Sequence, residues 1–82
     1  MRVIAIDMDG TALEHPDKVQ ALFDHPENLI IIYTARNPVI RKQTELELKE
    51  RNIPYHALVM GKLRADVYID DKNQGGLQWP DL

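Results

Sequence analysis

The stretch Arg2-Val3-Ile4-Ala5-Ile6-Asp7-Met8-Asp9-Gly10-Thr11 decides how this chain is read. Val3 to Ile6 is a continuous, largely β-branched apolar run, the pattern of a strand buried on both faces in a parallel sheet. It stops at an acid, Asp7. Asp9 follows at strand spacing and so falls on the same side as Asp7. Three further runs share the apolar character: Leu29 to Tyr33, Ala57 to Met60, and Val67 to Ile69.

Helical patterns fill the gaps between these runs. Asp17 to Asp24 carries Val19, Leu22 and Phe23 at helical spacing between Pro16 and Pro26, which predicts a short helix. After the second run, Asn37 can cap a helix with Pro38 at its first position. Val39, Ile40, Leu46 and Leu48 would form its broad apolar face, with Glu45 and Lys49, and Glu47 and Arg51, as favourable i,i+4 pairs. Asn52 and Pro54 end it.

The resulting β-α-β-α-β order, followed by a last strand, predicts an α/β fold: a mostly parallel sheet of about four strands with two main helices joined by right-handed crossovers. The link from Met60 to Val67 is shorter than the roughly 10–12 residues of a helical crossover, so it must be extended. In the order 3-2-1-4 it would span about 19 Å, which requires a nearly straight path. Both helices then share one sheet face. The opposite face would be covered by Leu77, Trp79 and Leu82 of a tail from Lys72 to Leu82, or by a second copy of the chain, so a homo-oligomer is expected.

The 82 residues include neither serine nor cysteine. That excludes Ser-His-Asp hydrolysis, cysteine nucleophiles, disulfides and thiolate-zinc scaffolds. The length predicts a single domain over residues 1–82, too small for a second, substrate-covering unit. With 10 Lys+Arg against 13 Asp+Glu and a net charge of −3, general nucleic-acid binding is disfavoured. The first apolar stretch is too short for a signal peptide and no run is long enough to span a membrane, so a soluble cytoplasmic protein is expected.

Each apolar run is followed directly by polar residues of distinct chemistry. Asp7, Asp9, Gly10 and Thr11 follow the first, Thr34, Ala35 and Arg36 the second, Gly61 and Lys62 the third, and Asp70 and Asp71 the fourth. Ligands of open parallel sheets bind outside the carboxyl ends of strands, where the strand order reverses. In the order 3-2-1-4 that point lies between strands one and four, which gathers four carboxylates that cannot all ionise without a cation. Oxygen ligands of this kind suit Mg²⁺ with waters and a phosphate oxygen. Lys62 and Thr34 add a cation and a hydroxyl donor suited to a phosphoryl group. Without serine or cysteine, a carboxylate nucleophile is the natural candidate, and Asp7 is chosen, with Asp9 as general acid and base.

In order and placement, Asp7-Met8-Asp9-Gly10-Thr11, Thr34, Lys62 and Asp70-Asp71 resemble the four motifs of the haloacid dehalogenase-like (HAD) superfamily of Mg²⁺-dependent phosphohydrolases. The resemblance spans residues 2 to 71. Ile32 to Asn37, Asn52 to Tyr55 and Tyr68 to Lys72 are similar to small capless members associated with capsular polysaccharide biosynthesis, and also to phosphatase domains acting on nucleic-acid ends. It implies a minimal Rossmann-like core without a cap domain, an aspartyl-phosphate on Asp7, and hydrolysis of a phosphomonoester. It further implies Thr34 as phosphate donor, Lys62 as the bridge from Asp7 to the phosphoryl group, and Gly10, Thr11, Ala35 and Arg36 beside the substrate. Mg²⁺ would be held by Asp7, the main-chain carbonyl of Asp9, Asp71 directly, and Asp70 in support. An acid at position 9 favours phosphatase or phosphomutase chemistry, since transporting ATPases of the superfamily resemble Thr there.

Several of these residues have simpler uses when taken singly. Asp-x-Asp-Gly patterns occur in ordinary turns, Asp70-Asp71 can end a strand, and Lys62 can be a solvated lysine. Arg36 and Arg41 can contact substrate or form surface ion pairs. His15, His25 and His56 lack ligand spacing, so no zinc site is expected. Gly75-Gly76 does not precede a helix and predicts no phosphate loop. Two other readings of the whole set stay open: a phosphatase of nucleotides or nucleic-acid termini, and a non-catalytic cation-binding module.

Overall fold

A computed structural model describes residues 1–61 and 66–69. The chain forms β1 (Arg2–Asp7), a wide turn over Met8–Ala12, α1 (Pro16–Phe23), β2 (Asn28–Thr34), a tight turn at Pro38–Ile40 leading into α2 (Arg41–Glu50), β3 (Ala57–Met60) and β4 (Val67–Ile69). Among the described residues every strand pairing is parallel. Ile4 and Ile6 of β1 stand beside Ile30 and Ile32 of β2, and Ile32 beside Leu58 of β3. On its other edge β1 pairs with β4, Ile6 beside Ile69, so the sheet runs β3-β2-β1-β4. This is the α/β class with a parallel sheet that the apolar runs predict.

Burial on both faces explains why those runs do not alternate. Ile4, Ala5 and Ile6, and likewise Ile30, Ile31 and Ile32, are all buried. Ile4, Ile6, Ile30 and Ile32 share one core cluster with Val19 and Leu22 of α1 and Leu48 of α2. Both helices therefore pack on the same sheet face. Leu77, Trp79 and Leu82, expected to cover the other, lie outside the described residues.

The predicted helix after β2 is modified by the structure. Asn37 does cap it, its Oδ1 accepting the Val39 N–H at 3.0 Å, with Pro38 at the first position. The first turn is tight, however, and the α-helix proper starts at Arg41. Val39 is 82% exposed and Leu46 54% exposed, whereas Thr44 and Leu48 are buried. At roughly 100° per residue, Leu46 lies about 200° around the axis from each of its neighbours two positions away. The core face is thus carried by Thr44 and Leu48, one turn apart. The buried Thr44 hydroxyl donates to the Ile40 carbonyl at 3.0 Å, which removes the cost of burying it. Glu45 pairs with Arg41 at 3.4 Å instead of with Lys49, while Glu47 meets Arg51 at 3.9 Å as expected.

The end of α2 is set by Asn52, at φ 58° in the left-handed region. Its N–H donates to Lys49 O at 3.1 Å, and the Ile53 N–H to Leu48 O at 3.0 Å. This pair of bonds is a Schellman motif, with Ile53 and Leu48 both buried in the same core cluster. His56 then guides the chain back to the sheet. Its N–H donates to Ile30 O at 2.8 Å, its Nδ1 accepts the Ile30 N–H at 2.9 Å, and its ring stacks on Phe23 at 4.6 Å. That is a structural use of histidine. At the far edge Asp66 exchanges two bonds with Val3, through its main-chain N–H at 3.1 Å and its Oδ2 at 2.9 Å.

Two substitutions on α2 separate its faces. Leu48→Ala is expected to destabilise the protein by about 2–5 kcal/mol, and Leu46→Ala by less than about 0.5 kcal/mol, as measured by urea denaturation. Equal effects would contradict the assigned core face.

Candidate functional site

The carboxyl ends of the central strands bring together the residues of interest. Asp7 ends β1 and is half-buried; Thr34 ends β2 and is buried. Asp7 and Asp9 both keep extended backbone, with φ/ψ of −63/139° and −77/130°, and they flank Met8, which is packed in the core. The two acids thus bracket a buried methionine at the mouth of the sheet. Gly10, at φ 77°, makes the reversal that lets the Leu13 N–H reach Met8 O at 3.1 Å. Any residue with a Cβ would be strained at that position.

Arg36 organises what lies between β1 and β2. Its Nη2 meets Asp9 Oδ1 at 2.7 Å and its Nε meets Asp9 Oδ2 at 3.3 Å, a two-point contact. Its Nη1 donates to Glu47 Oε1 of α2 at 2.9 Å. The Arg36 main-chain N–H donates to Thr34 Oγ1 at 3.1 Å, and that hydroxyl stands 3.5 Å from Asp9 Oδ2. The bonds to Asp9 first, and then those to Glu47, hold the guanidinium above its ordinary pKa range. Arg36 is therefore a permanent cation held between two carboxylates. Arg41, the next arginine after Arg36, turns instead to Glu45.

Thr11 stands out for a different reason. It is fully buried, and its Oγ1 is without a hydrogen-bond partner among the described residues. Gly10 and Ala35 are exposed at the same end of the sheet. Lys62, Asp70 and Asp71 lie outside the described residues.

The donor chemistry fits part of a Mg²⁺ site. Mg²⁺ takes one or two carboxylates and fills its remaining positions with water or phosphate oxygen. Asp7 offers such a carboxylate. Asp9 commits both of its side-chain oxygens to Arg36, which leaves its main-chain carbonyl as the more suitable donor. Among the described residues there is no group of three or more acidic or histidine side chains that could hold a metal alone. An open concavity of about 330 Å³ lies elsewhere, lined by Gln20, Lys49, Asn52, Ile53 and Pro54; it holds none of these acids. Among the described residues no helix is long and apolar enough to cross a membrane.

Glu47 has no signature in the sequence as part of this site. It reads as one member of a surface pair with Arg51, and its bond to Arg36 joins residues 11 positions apart across a loop. Comparison of the chain with protein-family models, curated proteins and solved structures returns no match.

Because the Thr11 hydroxyl has no partner among the described residues, Thr11→Val should leave thermal stability unchanged or raise it by up to about 1 kcal/mol. A loss larger than that in the ligand-free protein would show that folding uses the hydroxyl.

Proposed function

We propose that the chain is a Mg²⁺-dependent phosphomonoester hydrolase that works through an aspartyl-phosphate on Asp7. It would be built on a minimal HAD-like core with strand order 3-2-1-4. The observation that carries this reading is the junction of β1 and β2, where Asp7 and Asp9 flank Met8 and Arg36 holds both oxygens of Asp9 beside Thr34. A nucleophilic acid and a second acid two residues on are what a two-step phosphoryl transfer requires; for Asp9 this entails release from the Arg36 fork, which occupies both of its oxygens.

In the first step a carboxylate oxygen of Asp7 attacks phosphorus. The bond from phosphorus to the leaving oxygen breaks, and Asp9 gives its proton to that oxygen. In the second step water attacks the phosphorus of the acyl phosphate and passes a proton to Asp9. The bond to Asp7 breaks, inorganic phosphate leaves, and both side chains return to their starting states. Thr34 would donate to a phosphoryl oxygen, and Lys62 would bridge Asp7 and the phosphoryl group. Mg²⁺, held by Asp7, the Asp9 carbonyl, Asp71 and, in support, Asp70, would offset phosphate charge and orient it for in-line attack.

The exposure of Asp9, Gly10 and Ala35 favours a substrate whose phosphate is presented at the end of a larger molecule. A nucleic-acid terminus is therefore a second substrate class beside sugar phosphates.

The test is turnover of p-nitrophenyl phosphate with and without Mg²⁺. Asp7→Asn should abolish it, and Asp9→Asn should lower kcat by about 10²–10⁴. Full activity in Asp7→Asn would contradict the mechanism. Metal binding without turnover of any phosphoester would favour the non-catalytic module.

A further inference from the structure

His56 joins β3 to β2 through an acceptor that can itself take up a proton. The ladder between these strands begins at Ile31 and Ala57. One position earlier, the His56 N–H donates to Ile30 O at 2.8 Å, and the Ile30 N–H is received by the ring Nδ1 at 2.9 Å. A ring nitrogen thus stands where a main-chain carbonyl would continue the ladder. Ile30 is fully buried, so its N–H depends on that nitrogen for a partner.

An imidazole nitrogen accepts a hydrogen bond only while it carries no proton. The bond therefore fixes His56 as the neutral tautomer with its hydrogen on Nε2. A proton on Nδ1 would set two N–H groups face to face and leave the Ile30 donor unpaired in the core. His56 is an exposed residue, so its ring can turn outward to take that proton.

The charged groups nearest in the chain to the packed elements are turned to other partners. The ring stacks on Phe23 at the end of α1, with centroids 4.6 Å apart. Next to Phe23, Asp24 accepts from Gln20 Nε2 at 2.8 Å, and His25 Nδ1 accepts the Glu27 N–H at 3.3 Å. The Glu27 carboxylate faces the N-terminal ammonium at 3.6 Å. Asp17 and Lys18 lie in the first turn of α1, at its other end. Along β2 the titratable side chain is Tyr33, near the opposite end of the strand, and β3 carries none.

We propose that His56 is a pH-sensitive clasp: neutral, it holds the amino end of β3 against β2, and protonated, it releases Ile30 and lets this edge of the sheet open. β3 is the edge strand and only four residues long, so release at its start bears on its whole length and on Gly61 just beyond. The unfolded chain takes the proton without losing a bond. Stability supplied by the clasp is therefore present above the ordinary histidine range, about pH 6.5, and is lost as pH falls through and below it.

The test needs no substrate. Urea denaturation is followed for the full chain and for His56→Asn between about pH 8 and about pH 5, either side of the histidine range. The Asn Oδ1 can receive the Ile30 N–H across that range and takes up no proton. On going to the lower pH, the folding equilibrium constant should fall at least about fivefold more in the wild type than in His56→Asn, the effect of one lost hydrogen bond. Parallel losses in the two proteins would overturn the clasp. If His56→Asn does not fold, nitrogen NMR of the wild-type ring decides. Nδ1 should be unprotonated at the higher pH, and the Ile30 amide resonance should move as the ring titrates. A proton on Nδ1 at that pH, or an Ile30 amide indifferent to the titration, would overturn the proposal.

Discussion

β1 is hydrogen-bonded along both edges, to β2 and to β4, and the rest of the molecule depends on that. A strand paired on both sides and buried on both faces has only its ends free for polar chemistry. At its carboxyl end stand Asp7 and then Asp9. The register that places Asp7 beside Tyr33 also puts Thr34 and Arg36 immediately beyond, so the acids, the hydroxyl and the guanidinium come together as a consequence of pairing. Because α1 and α2 both cross on one face, the second helix runs close enough to contribute Glu47.

Much of this is legible in the residues themselves. Continuous isoleucine and valine runs announce buried parallel strands, and the acid that ends the first of them, Asp7, marks the candidate site, because both signals are local in the chain. Asn37 followed by Pro38 marks the helix entry for the same reason. The face of α2 is less legible. Val39, Leu46 and Leu48 are all apolar, and only the tight first turn, which fixes the helical phase from Arg41 onward, decides that Thr44 and Leu48 go inward. A hydroxyl that can satisfy itself on the preceding turn is easily mistaken for a surface residue.

The part of the site that the residues alone do not reveal is its wiring. Arg36 is compatible with a substrate contact or a surface pair, and nothing local chooses between them. Its commitment to Asp9 and Glu47 depends on the loop after β2 passing over the turn after β1, a tertiary event. Histidine shows the opposite case. His56 is of a residue type that can ligate metals, yet its main-chain nitrogen and its ring Nδ1 serve Ile30.

The proposed account rests on Asp7 becoming phosphorylated, and this can be observed directly. Protein mixed with a phosphoester and Mg²⁺, quenched in acid and reduced with borohydride, should carry homoserine at position 7 when its peptides are sequenced by mass spectrometry, since an acyl phosphate is reduced where a free carboxylate is not. Turnover with position 7 unmodified, or with the reduced residue at another acid, would contradict the account.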